Sequence, residues 1–205
     1  EEWWPVIKDK LDDMQWLETV SLLPGVLLDN GGGRRVDLLL RRVLAMRGET
    51  PTLATDTGIA GIMHRILEVA RPYQYCERED TRKAYRDILE KTMDVFTLSG
   101  ATRIPIWSRL AVAEALGQSG DPRFSKIHPI EVPGAMGWSL GKYPVTVTEY
   151  LEFIKQGGYQ EQRWWDAAGW RALDDLGRQS PMGWEGQCLH LNRPVVGVSW
   201  SEATA

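Results

Sequence analysis

Lys142–Tyr159 reads KYPVTVTEYLEFIKQGGY, and this stretch decides how the second part of the chain folds. Thr146 and Glu149 stand at the spacing of a capping box. The threonine oxygen accepts from an orphan N–H of the first turn, while the glutamate reaches back to the threonine's own N–H. Val147, Tyr150, Leu151 and Ile154 follow at helical spacing and define one buried stripe. Gly157 and Gly158 stop the helix. The stretch is predicted to be a strand end, a helix of about three turns and a turn.

Upstream, HPIEV (128–132) and WSLGKYPVT (138–146) read as short strands, and Pro129, Pro133 and Gly134 mark a boundary near Ser125. Downstream, RWWDAAGWRALDDLG (163–177) reads as a second helix with three tryptophans on or near one side. Indole rings bury large areas and their N–H groups need partners. The set Trp164, Trp165, Trp170 and Trp184 is either a structural aromatic cluster or the lining of a ligand groove, and it is the candidate binding site. Trp200 and Glu202 are expected to hold the domain core and start its last helix.

The composition sets bounds. The chain has 205 residues, 43% hydrophobic and 25% charged, as in ordinary globular domains. Six of the ten tryptophans and half of the 20 glycines follow residue 130, so the tail is aromatic-rich and turn-rich. Net charge is −4, with 18 basic and 19 acidic residues before position 129 and 6 and 9 after it. Neither part is polybasic, and Arg34-Arg35 and Arg41-Arg42 read as solvated helix edges, so no nucleic-acid footprint is expected. No apolar run reaches the roughly 18–20 residues of a membrane span, and Glu1-Glu2-Trp3-Trp4-Pro5 lacks the features of a signal peptide. Cys76 and Cys188 lie far apart in sequence and His64, His128 and His190 are scattered, so neither a disulfide framework nor a metal set is read, and a reducing, cytoplasmic setting is expected.

The first part reads as helices. Trp16, Leu17, Val20, Leu23 and Leu27 share a helical spacing that Pro24-Gly25 is expected to interrupt. Asn30-Gly31-Gly32-Gly33 reads as a loop. No strand leads into it and no Gly-Lys-Ser/Thr follows, so it is not a phosphate cradle. Val36, Leu39, Leu40, Val43 and Met46 form one amphipathic stripe, and Ile59, Ile62, Met63, Ile66 and Ala70 a second. Tyr85, Ile88, Leu89, Val95 and Phe96 form a third, closed by Gly100. IPIWSRLAVAEALGQSGDPRF (104–124) puts Ile106, Leu110, Ala113 and Leu116 on one side. Its small residues Ala111, Ala113, Ala115 and Gly117 would admit a neighbouring helix closely. The RLAVAEALGQSGDPR pattern (109–123) resembles a HEAT-type helical repeat in a single copy, where a solenoid needs about three or more.

The spaced motifs of the tail resemble the formylglycine-generating enzyme (sulfatase-modifying factor) family. They are Tyr143–Thr146, Glu149–Phe153, Gly158-Tyr159, Trp164-Trp165, Gly169-Trp170 and Pro194–Ala203, in order. The resemblance implies a C-type-lectin-like mixed α/β fold. Two departures are local: VPGAMGWSLGKYPVT (132–146) is shorter than the family's opening strand region, and Ser201 stands where an aromatic is common. The resemblance also implies that the chain stops at the domain's midpoint, in the first turn of the helix that Ser199-Trp200-Ser201-Glu202-Ala203 begins. Copper and calcium belong to a complete family domain, the copper on a pair of cysteines. Cys188 does not match those positions and Cys76 lies in the helical part. A soft Cu(I) site needs two thiolates together, so no catalytic residue, metal ligand or cofactor is assigned in this chain. The helical part is similar to segments that follow the nucleotide-binding module of bacterial NACHT-type STAND NTPases, which would put such a module before Glu1.

The expected fold class is thus all-α followed by mixed α/β. The domains are an α-helical bundle over 1–103, a HEAT-like repeat or linker over 104–126, and the N-terminal half of a formylglycine-generating-enzyme-like, C-type-lectin-like domain over 127–205. The expected function is a non-catalytic recognition or effector module. It would sit within a larger bacterial sensor, or a binding protein diversified by a retroelement, and take a protein or small ligand. The alternatives are a copper-dependent sulfatase-modifying oxidase and an iron-dependent sulfoxide synthase of the ergothioneine type, whose histidine set His64 and His128 do not supply.

Overall fold

The computed structural model describes residues 3–11, 13, 15–124, 129–134 and 137–205. His128, the predicted boundary near Ser125 and the predicted domain start at 127 lie outside the described residues. The chain divides into two compact units, Glu1–Ser119 and Gly120–Ala205.

The first unit is helical: α1 (Trp4–Ile7), α2 (Leu17–Gly31), α3 (Gly33–Ala45), α4 (Leu53–Ala70), α5 (Glu79–Lys91), α6 (Leu98–Arg103) and α7 (Ile106–Ser119). Helix α4 is the central element and packs against α2, α3, α5 and α7. The predicted stripes supply the core: Val36, Leu39, Leu40 and Val43 from α3, Ile59, Ile62, Met63 and Ile66 from α4, and Tyr85, Ile88 and Leu89 from α5 are all buried. Met46 and Phe96, at the stripe ends, are exposed. Thr52 caps α4, its oxygen accepting from the Thr55 N–H at 3.1 Å. Arg47 clasps the buried Asp56 with two bonds of 2.7 and 3.1 Å, tying the α3–α4 connection to α4.

Four expectations change here. Pro24 lies inside α2 and does not interrupt it. A proline removes one ladder bond, but Val20 and Leu27 are buried on either side of it and hold both turns against α3 and α4. The Asn30–Gly33 segment is not a loop. Gly31 ends α2, Gly33 begins α3, and Gly32 alone makes the corner at φ 64°, a conformation that favours glycine. Gly100 does not close the third stripe but lies within α6, where a β-carbon would collide with the backbone of Asp94. On α7 the buried side is Val112, Ala115 and Leu116, while Ile106 and Leu110 are exposed. The small residues decide that face: Gly61 of α4 sits so near α7 that an added β-carbon would be 3.2 Å from that of Ala111.

The second unit has little regular structure. Short strands form within both expected stretches, β1 (Pro129–Glu131) and β2 (Ser139–Gly141); they pair antiparallel with Ile130 opposite Leu140. Helices α8 (Val147–Lys155), α9 (Ala167–Leu176), α10 (Trp184–Gln187) and α11 (Trp200–Thr204) follow. The Thr146–Glu149 capping box forms with both bonds present, and Val147 and Tyr150 are buried beneath α8. Residues 104–126 hold only α7 and a single 3-10 turn (Pro122–Phe124) among the described residues, so the HEAT-type reading finds no helical hairpin there.

Candidate functional site

The candidate site is built around the end of α8. Residues 191–195 run back along the strand end that precedes this helix. Val147 N–H donates to Arg193 C=O, Thr148 N–H to Leu191 C=O and Val195 N–H to Val145 C=O, each at 2.9 Å. Asn192 turns outward from this track and donates to Asp121 Oδ2 at 2.9 Å. Asp121 also accepts from the Arg123 Nε at 2.9 Å. Burial opposes its charge, but the Arg123 and Asn192 donors outweigh burial and hold the carboxyl below its ordinary range. The Asp-Pro-Arg of the motif read as HEAT-like is therefore an anchor within the second unit.

Gln187 fastens the next stretch. Its amide donates to Met182 C=O and Val196 C=O at 3.1 and 3.0 Å, and its carbonyl accepts from Val196 N–H at 2.9 Å. These bonds carry the chain into Ser199, which caps α11 in a second capping box with Glu202. No strand or long helix does this work, so the polar side chains must supply the bonds that the backbone cannot make with itself.

The aromatic residues pack inside this frame. Tyr150, Tyr159, Trp165 and Leu173 form the cluster, with Phe153, Trp170 and Trp184 half-buried against it. Ring centroids lie 5.4 Å apart for Tyr159–Trp165 and 6.0 Å apart for Tyr150–Trp184. The Trp165 indole N–H donates to Gly158 C=O at 2.7 Å. Of the predicted set, Trp165, Trp170 and Trp184 thus meet in one cluster. Trp164 points away, exposed, with the Arg163 guanidinium 4.6 Å from its ring. Trp164 and Trp165 precede α9 rather than lie on it: Gln162–Trp164 is a 3-10 turn, and Asp166 caps the helix. Trp200 is also not in the core, being 80% exposed. A helix-start position next to a cap faces solvent unless a neighbour covers it, and the cap orientation spends the inward position on Glu202.

Glu202, expected in the core and at the helix start, is found in both places and is the centre of a buried network. It is 3% exposed and receives the Tyr159 hydroxyl at 2.6 Å and the Ser199 backbone N–H at 2.6 Å, with Arg178 at 3.5 Å. Tyr150 and Tyr159 hydroxyls lie 3.2 Å apart. Burial opposes ionisation of Glu202. The Tyr159 hydroxyl, the Ser199 donors and Arg178 together prevail, and the carboxyl sits below its ordinary range. Burial, then the bond to Glu202, pushes the Tyr159 phenol well above its usual range. The network is a closed set of mutual bonds. The signal for it was present in Ser199-x-x-Glu202, a capping spacing, but the tyrosine partner, 43 residues away in sequence, was not visible.

No group of three or more His, Cys, Asp or Glu side chains is placed to hold a metal among the described residues. Cys188 is half-buried, and burial followed by the Glu185 carboxylate pushes its thiol above the ordinary range. That environment disfavours the thiolate form of Cys188.

Comparison with known proteins identifies this part of the chain. Residues 113–205 match the family model of the sulfatase-modifying factor enzyme 1-like domain, and that portion is a domain of this family. Similar curated proteins include the hercynine oxygenase of Mycobacterium tuberculosis, 32% identical over 89 residues, covering 38% of this chain and 20% of that protein. The hercynine oxygenase of Mycolicibacterium thermoresistibile is 39% identical over 88 residues, covering 38% and 19%. That of Mycolicibacterium smegmatis is 37% identical over 57 residues, covering 28% and 13%. The matched segments thus span a fifth or less of these relatives. No solved structure matches the chain. Among the described residues no helix is long and apolar enough to cross a membrane.

Proposed function

We propose that the sulfatase-modifying-factor-like portion of this chain acts in recognition, as a lectin-like module that presents a surface to a protein or small ligand, rather than supplying reacting groups. One observation carries this reading. The titratable groups gathered in the unit, Tyr150, Tyr159, Glu202 and Arg178, are consumed in bonds to one another within its core. A general acid or base needs an open path to its substrate proton. Trp164, stacked by Arg163 and open to solvent, is the aromatic of the predicted set that remains available for contact. A cytoplasmic sensor with a nucleotide-binding module before Glu1 is the setting proposed for this module, in line with the helical region that precedes it.

The kinship with hercynine oxygenases favours a second reading, in which this portion forms part of the wall of an oxygenase site whose metal ligands lie elsewhere. Titration of the chain with Cu(I), Fe(II) and hercynine separates the two. The recognition reading expects no tight stoichiometric binding of either metal and no saturable binding of hercynine. Saturable hercynine binding abolished by W164A would overturn it in favour of the oxygenase reading, and a one-to-one metal site would overturn both.

A further inference from the structure

The helical unit holds a cavity of about 250 Å³ that neither reading uses. It lies where the end of α4, the start of α5 and the end of α7 come together, lined by Arg71, Arg82, Arg86, Glu77, Tyr75 and Ser119 among others. Three guanidinium groups face one carboxylate, in a chain whose net charge is −4. The carboxylate is already taken: Arg82 Nε donates to Glu77 Oε1 at 3.1 Å, and Arg82 also reaches Glu79 at 3.3 Å. Tyr75 is taken as well, its hydroxyl donating to Asp37 at 2.6 Å, which leaves its ring as wall. Among the described residues the Arg71 and Arg86 guanidinium groups have no ion pair and no hydrogen-bond partner. Two unneutralised guanidiniums on one concave surface repel each other unless an anion lies between them, and the planar fork matches oxyanion geometry.

We propose that this cavity is a binding site for a small phosphomonoester. The lining carries three positive charges and one negative, a surplus of two, which suits the roughly −1.5 to −2 charge of a phosphomonoester at neutral pH. A carboxylate would neutralise only half of that. The volume lies just under the roughly 300–1,000 Å³ of pockets for drug-sized ligands, so the body attached to the phosphate is small, resting on the Tyr75 ring and the Leu67 side chain. Arg86 and Arg82 stand one helical turn apart on α5, which fixes one side of the site, and Arg71 closes the other from the turn that follows α4.

Isothermal titration of the whole chain with phenyl phosphate, inorganic phosphate and benzoate tests this. Phenyl phosphate is expected to bind once per chain, more tightly than either control, and more weakly as salt rises. R71Q and R86Q should each lower its affinity at least tenfold while leaving the helical circular dichroism unchanged, since neither side chain holds the fold. R86K, which keeps the charge and loses the fork, should fall between wild type and R86Q. The proposal is overturned if phenyl phosphate shows no saturable binding, if benzoate binds as tightly, or if R71Q and R86Q both bind like wild type.

Discussion

Glu202 concentrates the energetics of the second unit in one side chain. It is buried, ionised, and bonded to a phenol, to a backbone N–H and to Arg178. Removing it in E202A takes the carboxylate acceptor from the Tyr159 hydroxyl and from the Ser199 N–H, and a loss of about 3 kcal/mol is expected, read as a lower denaturant midpoint in tryptophan fluorescence. E202Q keeps an acceptor for Tyr159 and should cost about half as much. The pH dependence has a definite sign. The folded carboxyl titrates below its unfolded value, so its stabilisation is complete above the unfolded pKa and is lost as pH falls through the folded one. The E202Q variant should therefore lose less stability than wild type between pH 5 and pH 3, a window taken from ordinary carboxyl pKa values of about 4. An equal acid loss in both proteins would show that Glu202 is not the titrating group. The neighbouring tryptophans make the complementary point. W165A empties a packed, hydrogen-bonded site and should cost about 3–5 kcal/mol, whereas W164A removes an exposed ring and should shift stability by less than about 0.5 kcal/mol. Residue types could not tell these two apart. A 3-10 turn rather than a helix sets their directions, and that turn depends on where Asp166 caps α9.

Caps and close approaches govern the elements. The Thr146–Glu149 capping box was legible because its bonds are local, spanning three residues; Ser199–Glu202 has the same spacing but was read only as a helix start. T146A should cost about 1 kcal/mol, the ordinary value of a lost cap, measurable as a lower midpoint for the second unit. The helix stripes of α3 and α4 were equally legible, since a period of 3.6 residues is written in the sequence. The buried face of α7 was not. Its apolar content is spread round the helix, and the choice between faces was made by α4, where Gly61 lets Ala111 come close. Gly100 shows the same limit. A glycine after an amphipathic stripe reads as a stop, but here it clears space for the Asp94 carbonyl within α6. G100A should accordingly destabilise the helical unit, where glycine-to-alanine in a helix interior normally gains roughly 0.8–1 kcal/mol. Chemical denaturation followed at 222 nm reads the difference, and a stabilised G100A would refute the close contact.

At the scale of the molecule, the two units differ in how they are held. The helical unit has one contiguous apolar core running from Leu11 to Leu116. The second unit buries a small aromatic cluster and otherwise depends on side-chain bonds to backbone, through Gln187, Asn192 and Glu202. Hydrophobic burial scales with area and survives the loss of any one contact, while a unit held by polar bonds fails where a single bond network opens. This is also why the tail's membership in its family could be read from spaced motifs while its geometry could not. Tyr159 and Glu202 are motif residues, but their bond, like that of Asp121 and Asn192 outside the motifs, joins positions far apart in sequence. Expressed separately, residues 1–119 are expected to unfold cooperatively with full helical signal, because the core residues lie within that span. Residues 120–205 are expected to unfold at lower denaturant, with red-shifted tryptophan emission already under native conditions from Trp138, Trp164 and Trp200, which are exposed. Within the whole chain, D121A should lower the midpoint of the tryptophan-reported transition and leave the 222 nm transition of the helical unit in place. If the two transitions move together by the same amount, the units do not melt independently, and Asp121 anchors more than the Asn192 track.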